Sequence, residues 1–300
     1  MAGKWLSALI GSALLCVAVV TAAEAATIPG TPSASTMALT LAELPGAKLI
    51  KQGVESTGDP NVANAYSREF AFSKAYGASK YVYLADEVLV ATSLDNAATE
   101  YRAAGHEFSS PAGQRALEKE FVSGIGKSHV KSTTHVKPRA LKFGDSAMEV
   151  GIVVHTTVGN VNISVSVFRV GKVVVFNVLA GRGGTISAAD ARNLGGLGVN
   201  HITAGLVPIM VAAPTVTGTA VQGQTLTGTN GTWGNEPSSY TYQWQHCDAA
   251  GANCTDVTGA TAATYAVTAA DVGFTLRLSL TAVNKYGMVN VLSATTAVVS

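Results

Sequence analysis

"TYQWQHCDAAGANCTDVTGA", residues 241–260, decides how the last third of this chain is read. Tyr242 and Trp244 alternate with Thr241, Gln243 and Gln245, and such alternation sends the aromatic rings to one face of a β-strand. Cys247 ends that strand, and Cys254 begins the return after the turn-forming "DAAGAN". A bridge between the two cysteines would clasp a hairpin loop and would not cross-link sheets. Working outward, "PTVTGTAV" (214–221), "QTLTGTNGTW" (224–233), "ATYAVTAADVGFTLRLSLTAVN" (263–284) and "GMVNVLSATTAVV" (287–299) read as further strands between turns. Phe274, Leu276, Leu278 and Leu280 share one face of theirs. Roughly seven short strands around a central Trp predict a β-sandwich, with Trp233, Tyr242, Trp244, Tyr265 and Leu276 as its core.

The opening residues explain the cysteines. Lys4, the apolar run "WLSALIGSALLCVAVV" (5–20) and the small-residue "AEA" (23–25) predict a signal peptide over 1–25, cleaved after Ala25. The apolar run is short for a membrane-spanning helix, and no second long apolar stretch follows. Cys16 has Leu15 before it, where lipid-modified cysteines need a small residue, so it reads as leader packing. Its loss leaves an even pair, Cys247 and Cys254, and in an oxidising compartment that pair is a disulfide. A metal pair would need two more ligands, with His246 alone nearby, and a redox pair would usually be CxxC.

Charge divides the remainder. Residues 27–210 hold most of the Lys, Arg, Asp and Glu, whereas residues 211–300 carry Arg277 and Lys285 against Glu236, Asp248, Asp256 and Asp271. The expected organisation is a flexible small-residue tether (26–38), an α+β domain (39–207), a linker (208–213) stiffened by Pro208, and the all-β domain (214–300). A net charge of +1 is too small for a polybasic binder, so no nucleic-acid specificity is expected.

Residues 214–299 resemble the immunoglobulin-like domain of secreted and surface proteins of actinobacteria. The resemblance runs through Pro214, Gly218, Gly223, Leu226, Trp233, Tyr242, Trp244, Cys247, Cys254, Gly259, Tyr265, Asp271, Gly273, Leu276 and Asn284. It implies a module that spaces or presents another domain, or contacts surface polymer, and it transfers no catalytic residue.

In the leading domain the spacing predicts a strand-like portion around 66–72; residues 80–104 carry Val82, Leu84, Val88 and Val90 ahead of a helix around 93–104, and a second helix follows at 110–124. Ser110 suits the cap of the second helix and Pro111 its first turn. Strands over 137–157, 160–170 and 173–181 follow, then a helix from Ser187. Antiparallel hairpins packed with helices make an α+β fold. "LAELPGAKLI" (41–50), "YSREFAF" (66–72), the Gly144–Asp145 turn, a long hairpin and a closing helix are similar to the PsbP/Mog1-like fold. That resemblance implies binding or sensing more than catalysis.

Sites are sparse. "SGIGKS" (123–128) lacks the first glycine of a phosphate-binding loop and follows a helix, where the motif follows a strand. His129, His135 and His155 match no helical metal pair. Lys127, Lys131, Lys137, Arg139 and Lys142 form a basic run suited to an anionic polymer. Glu118, Asp145 and Glu149 offer carboxylates but no spacing that demands hydrolysis. No catalytic residue, metal or cofactor is assigned. The expected function is an exported, non-enzymatic protein of the cell envelope or secreted fraction, binding an unidentified polymer or protein through its first domain. A secreted hydrolase and a purely structural envelope protein are the alternatives.

Overall fold

Period-two patterning between residues 47 and 182 is realised as one antiparallel sheet. The computed structural model of the protein describes residues 29–55, 58–77, 80–183 and 186–300. The leader, Cys16 and the start of the tether lie outside the described residues. The chain divides into a first unit, Ser33–Gly205, and a second, Leu206–Ser300, which also takes in residues 29–32.

The first unit carries strands β1 (Ala47–Glu55), β2 (Val62–Tyr76), β3 (Tyr81–Ala91), β4 (Val130–Leu141), β5 (Ser146–Thr156), β6 (Gly159–Val170) and β7 (Val173–Arg182). Their order in the sheet is β1-β2-β3-β7-β6-β5-β4, with every pairing antiparallel. Helices α1 (Ala34–Met37), α2 (Leu94–Ser109), α3 (Pro111–Ile125) and α4 (Ala188–Gly205) complete it. Ser93 and Ser110 cap α2 and α3 by accepting hydrogen bonds from the Asn96 and Gly113 amides. Pro111 occupies the first turn, as its fixed φ and missing N–H favour.

Helices cover both faces. On one, Leu117 and Phe121 of α3 pack on Tyr83, Val150, Ile152 and Val165, and Ala97 and Ala104 of α2 pack on Val167 and Val174. On the other, Leu194 of α4 packs with Phe70, Leu84 and Leu179. The sheet is therefore sandwiched between helices, and its interior strand β3 is buried along both sides.

Three expectations change. The stretch 137–157 is a hairpin, because Gly144, at φ 61, turns the chain between β4 and β5, and β4 begins at Val130. The described end of the tether is packed: Ala34, Met37, Ala38 and Leu39 are buried, and apolar side chains with three hydrogen bonds to Arg68 and Asp86 fix them there. The linker 208–213 is largely strand, because Ile209–Ala212 (β8) finds a pairing partner in Thr232–Gly234 (β11).

The second unit is mainly β-strand. Besides β8 and β11 it contains β9 (Val216–Thr217), β10 (Thr225–Gly228) and β14 (Thr264–Ala266) in the order β14-β10-β9. A four-stranded sheet holds β12 (Ser239–Cys247), β13 (Thr255–Asp256), β15 (Thr275–Asn284) and β16 (Gly287–Leu292) in the order β13-β12-β15-β16. Leu226 from β10 meets Trp244, Leu276 and Leu278 in one buried cluster, with Tyr242 and Tyr265 packed at its margin. Trp233 lies half-buried outside that cluster and donates its indole N–H to the Asn230 carbonyl. Phe274 precedes β15, so it escapes the core face; it is 42% exposed and stacks on His246.

Cys247 and Cys254 are bonded across a loop in which Asp248 accepts from the Ala250 and Ala252 amides. Closing so short a ring removes about 2–3 kcal/mol of unfolded-chain entropy. Replacing both cysteines by Ser should lower the unfolding free energy of the second unit by that amount, read from denaturant midpoints of its Trp fluorescence. An unchanged midpoint would show that the Asp248 hydrogen bonds alone hold the loop.

Candidate functional site

Adjacent residues of a strand point to opposite faces, so Asp86 and Glu87 of β3 send two carboxylates to opposite sides of the sheet. Asp86, on the α1/α4 face, is fully partnered. It accepts from the Leu39 amide and from the Asn177 side chain, each at 2.7 Å, and so pins the segment that follows α1. Burial outweighs these bonds and pushes its carboxyl up to about 6.

Glu87, on the α2/α3 face, is only 5% exposed, yet among the described residues no hydrogen bond or ion pair reaches its carboxylate. Burial first, then the negative charges of Glu55 and Asp86, push it up to about 8 from an ordinary 4.5. The register explains the surroundings. Glu87 lies in a cross-strand row with Gly53 of β1, Ser67 of β2 and Phe176 of β7. Gly53 has no side chain, and a Cβ built there would meet nothing within 4 Å. The row runs from Gly53 at the sheet edge, past the short and buried Ser67, to Phe176, which packs edge-to-face on Phe108 of α2. Glu55 and the Lys51–Glu69 ion pair (3.2 Å) flank it, and Ser67 Oγ donates to Glu55 at 2.5 Å. Beside Glu69, burial first and then that carboxylate hold the Tyr83 hydroxyl protonated.

The basic run falls at the opposite edge of the sheet. Lys131 and Lys137 sit at the two register shifts of edge strand β4, and Lys127 and Lys142 are exposed at its ends. Arg139 is not free: its guanidinium grips buried Glu149 through Nε (2.7 Å) and Nη2 (2.6 Å). The remaining carboxylates are dispersed. Glu149 also accepts from Ser164, Asp145 accepts from the Gly171 amide, and Glu118 accepts from Thr133 and His135 on the α2/α3 face. Hydrogen bonds from Thr133 and then His135 hold Glu118 below the usual carboxylate range, the wrong direction for a general acid.

His155 bonds to Thr134 and Asn160 on the face opposite His135, so those imidazoles do not converge. Among the described residues no group of three or more His, Cys, Asp or Glu is placed to hold a metal ion. No described helix is long and apolar enough to cross a membrane. The second unit has an open depression of about 480 Å³ between His246, Thr261 and Tyr265. His246 there is engaged with buried Asp271, which also accepts from Tyr265 and Thr268.

Sequence reasoning passed over Glu87, Glu55 and Glu69. The available signal was "YVYLADEVLVA" (81–91), in which two adjacent acids interrupt an apolar strand. One of the pair must enter each covered face.

No family model matches the chain, and no curated protein matches it. Among solved structures, the extracellular domain of PknH from Mycobacterium tuberculosis is distantly similar, at 11% identity and a TM-score of 0.35. The alignment covers 58% of this chain and 99% of that domain. A likeness at that level assigns neither a site nor an activity.

The elevated carboxyl has a thermodynamic consequence. Folded Glu87 keeps its proton up to about pH 8, while the unfolded chain releases it near 4.5. The stability linked to that proton is therefore complete below 4.5 and lost as pH rises through about 8; Asp86 adds the same sign between 3.8 and about 6. Thermal midpoints of the first unit should fall from about pH 6 to about pH 9, and Glu87→Gln should flatten that fall. Parallel profiles for the two proteins would show that Glu87 titrates normally.

Proposed function

We propose that this chain is an exported binding protein whose first unit takes a ligand and whose second unit supports it as an immunoglobulin-like module. Glu87, buried and without a hydrogen bond or ion pair among the described residues, carries the reading. A packed strand gains nothing from a lone desolvated carboxylate, whereas a binding site gains an uncompensated polar group aimed at its ligand. Export is supported by the leader pattern at 1–25 and by the bonded Cys247–Cys254 pair. The module assignment rests on the motif resemblance over 214–299, and a PsbP/Mog1-like fold for the first unit on the segments named for it. Lys127, Lys131, Lys137 and Lys142 remain a second contact surface for an anionic polymer, with Arg139 already committed.

A secreted hydrolase is the second reading, favoured by the same carboxylate. An acid held protonated at neutral pH opposite a second carboxylate, Glu55, is the arrangement a general acid requires.

Retention of the purified mature protein on isolated envelope fractions separates these roles. Glu87→Gln should reduce retention by at least about tenfold, while K131E/K137E/K142E should change it by less than about threefold at moderate salt. Loss on the lysine variant alone would move the contact to the β4 edge. Release of soluble reducing ends that Glu87→Gln abolishes would establish the hydrolase.

A further inference from the structure

The depression on the second unit lies along a strand edge that the chain leaves open. β14 is the outer strand of its three-stranded sheet, with β10 on one side and no described strand on the other. Register fixes where its backbone groups point. The Gly228 amide donates to the Ala263 carbonyl at 2.8 Å, and the Val267 amide to the Gln224 carbonyl at 2.9 Å. Ala263, Tyr265 and Val267 are therefore the residues that bond to the β10 side. The alternate residues, Thr264 and Ala266, turn their N–H and C=O groups outward. Both are exposed and line the depression, and among the described residues neither amide has an acceptor.

The chain does not fill that edge itself, because the opposite bank is committed elsewhere. The Val257 amide donates to the Trp244 carbonyl, the Ala260 carbonyl accepts from the Trp244 amide, and the Ala262 carbonyl accepts from the Trp244 indole, each at 2.9 Å. Residues 257–262 are thereby tied to β12, and the depression of about 480 Å³ stays between them and β14.

Its lining selects the occupant. Residues 257–268 contain no Lys, Arg, Asp, Glu or Pro. His246, the lining side chain that can become cationic, is already engaged with buried Asp271. An ionic ligand therefore finds no free counter-charge. Edge strands β1 and β4 carry lysines and register shifts that discourage pairing, whereas β14 carries neither. Two outward residues two positions apart present donor and acceptor at a repeat of about 6.8 Å, the repeat of another extended backbone. A glycan would bring hydroxyls at the spacing of its rings.

We propose that the β14 edge binds an extended, uncharged peptide segment of another protein, which joins the sheet as an added strand. The site is separate from the one around Glu87 and gives the second unit a contact of its own. The N–H and C=O groups of Thr264 and Ala266 supply the main-chain hydrogen bonds. Alternate side chains of the guest enter the depression beside Ala260, Ala262 and Tyr265, where small or β-branched groups suit the uncharged lining. β14 is only three residues long, so affinity is modest and the edge is too short to drive self-association.

The test is amide hydrogen exchange, read by NMR on the full mature chain, with acetyl-Thr-Val-Thr-Val-Thr-amide as the probe. Without peptide the Thr264 and Ala266 amides should exchange fast, as unpaired edge amides do. At about 10 mM peptide their exchange should slow about tenfold, which corresponds to a dissociation constant near about 1 mM. The same peptide N-methylated at every amide cannot donate and should slow nothing. Ala266→Pro removes an outward N–H that has no acceptor among the described residues. The thermal midpoint of Trp fluorescence should therefore hold, while binding weakens at least about fivefold. Thr261→Phe, which fills the depression from the opposite bank, should weaken it comparably.

Slow exchange of both amides in the free protein, no slowing at about 10 mM peptide, or equal binding of the methylated peptide would each overturn the proposal. Resonance shifts at these residues with cellotetraose and none with the peptide would overturn it in favour of a neutral glycan. The methylated peptide asks the question without altering the protein, so a variant that fails to fold leaves the answer intact. None of these outcomes bears on envelope retention through Glu87, which belongs to the first unit.

Discussion

Strand β3 is the constraint around which the first unit is built. It is hydrogen-bonded on one side to β2 and on the other to β7, and helices cover both of its faces. Any polar residue placed on it is desolvated whichever way it points. Two successive acids at its centre must then be accommodated in different layers, and the two layers answer differently. On the α1/α4 face, Asp86 serves as an anchor: its oxygens receive the Leu39 amide and the Asn177 amide group, and Arg68 closes over the neighbouring carbonyls of Ala38 and Leu39. That network turns residues expected to be a loose tether into part of the packed unit. On the α2/α3 face, the cross-strand neighbours of Glu87 are a serine and, beyond it, a glycine.

The two edges of the same sheet show how exposed strand ends are handled. β1 carries Lys48 and Lys51 around a register shift between Leu49 and Lys51, and β4 carries Lys131 and Lys137 at its own shifts, with Pro138 beside the second. Charges, bulges and proline on an edge strand discourage pairing with another chain. The basic run in 127–142 thus has a structural explanation that needs no ligand, and Arg139 has a separate one in neutralising Glu149. Lys51 belongs to both categories, since it guards an edge and pairs with Glu69, one row along from Ser67 and Glu87.

Much of this was legible in the sequence where the signal is local. Ser110 and Pro111 announced the start of α3, the alternation around Trp244 announced β12, and the thiol spacing announced a loop clasp. Non-local information was harder to read. Only pairing register shows that Gly53, Ser67 and Glu87 share one row, because the first two residues belong to strands whose alignment no spacing along the chain encodes. Trp233, expected in the core, and Phe274, expected on the face of Leu276 and Leu278, each sit outside the buried cluster. The strand expected over 137–157 leaves out Val130–Val136, whose Lys, Ser, Thr and His show no apolar alternation; they are an edge strand's polar side chains, and an edge needs no apolar pattern on its open side.

Buried carboxylates by themselves carry no functional meaning in this protein, and comparison among them isolates one. Glu149 is gripped by Arg139 and by Ser164. Asp271 accepts from the Thr268 amide, the Thr268 and Tyr265 hydroxyls and His246. Asp86 has two donors. In each case the charge closes a local structure: a hairpin edge, a short capped turn, a docked segment. Glu87 differs from all three: among the described residues no donor reaches it, and the charges that act on it, Glu55 and Asp86, have its own sign. A desolvated acid without donors is neutral at physiological pH and adds nothing to cohesion, and a leucine or glutamine at that point of β3 would satisfy packing at least as well. The asymmetry across a single strand, one acid embedded among donors and its neighbour buried with no donor among the described residues, is the feature of the fold that packing does not account for.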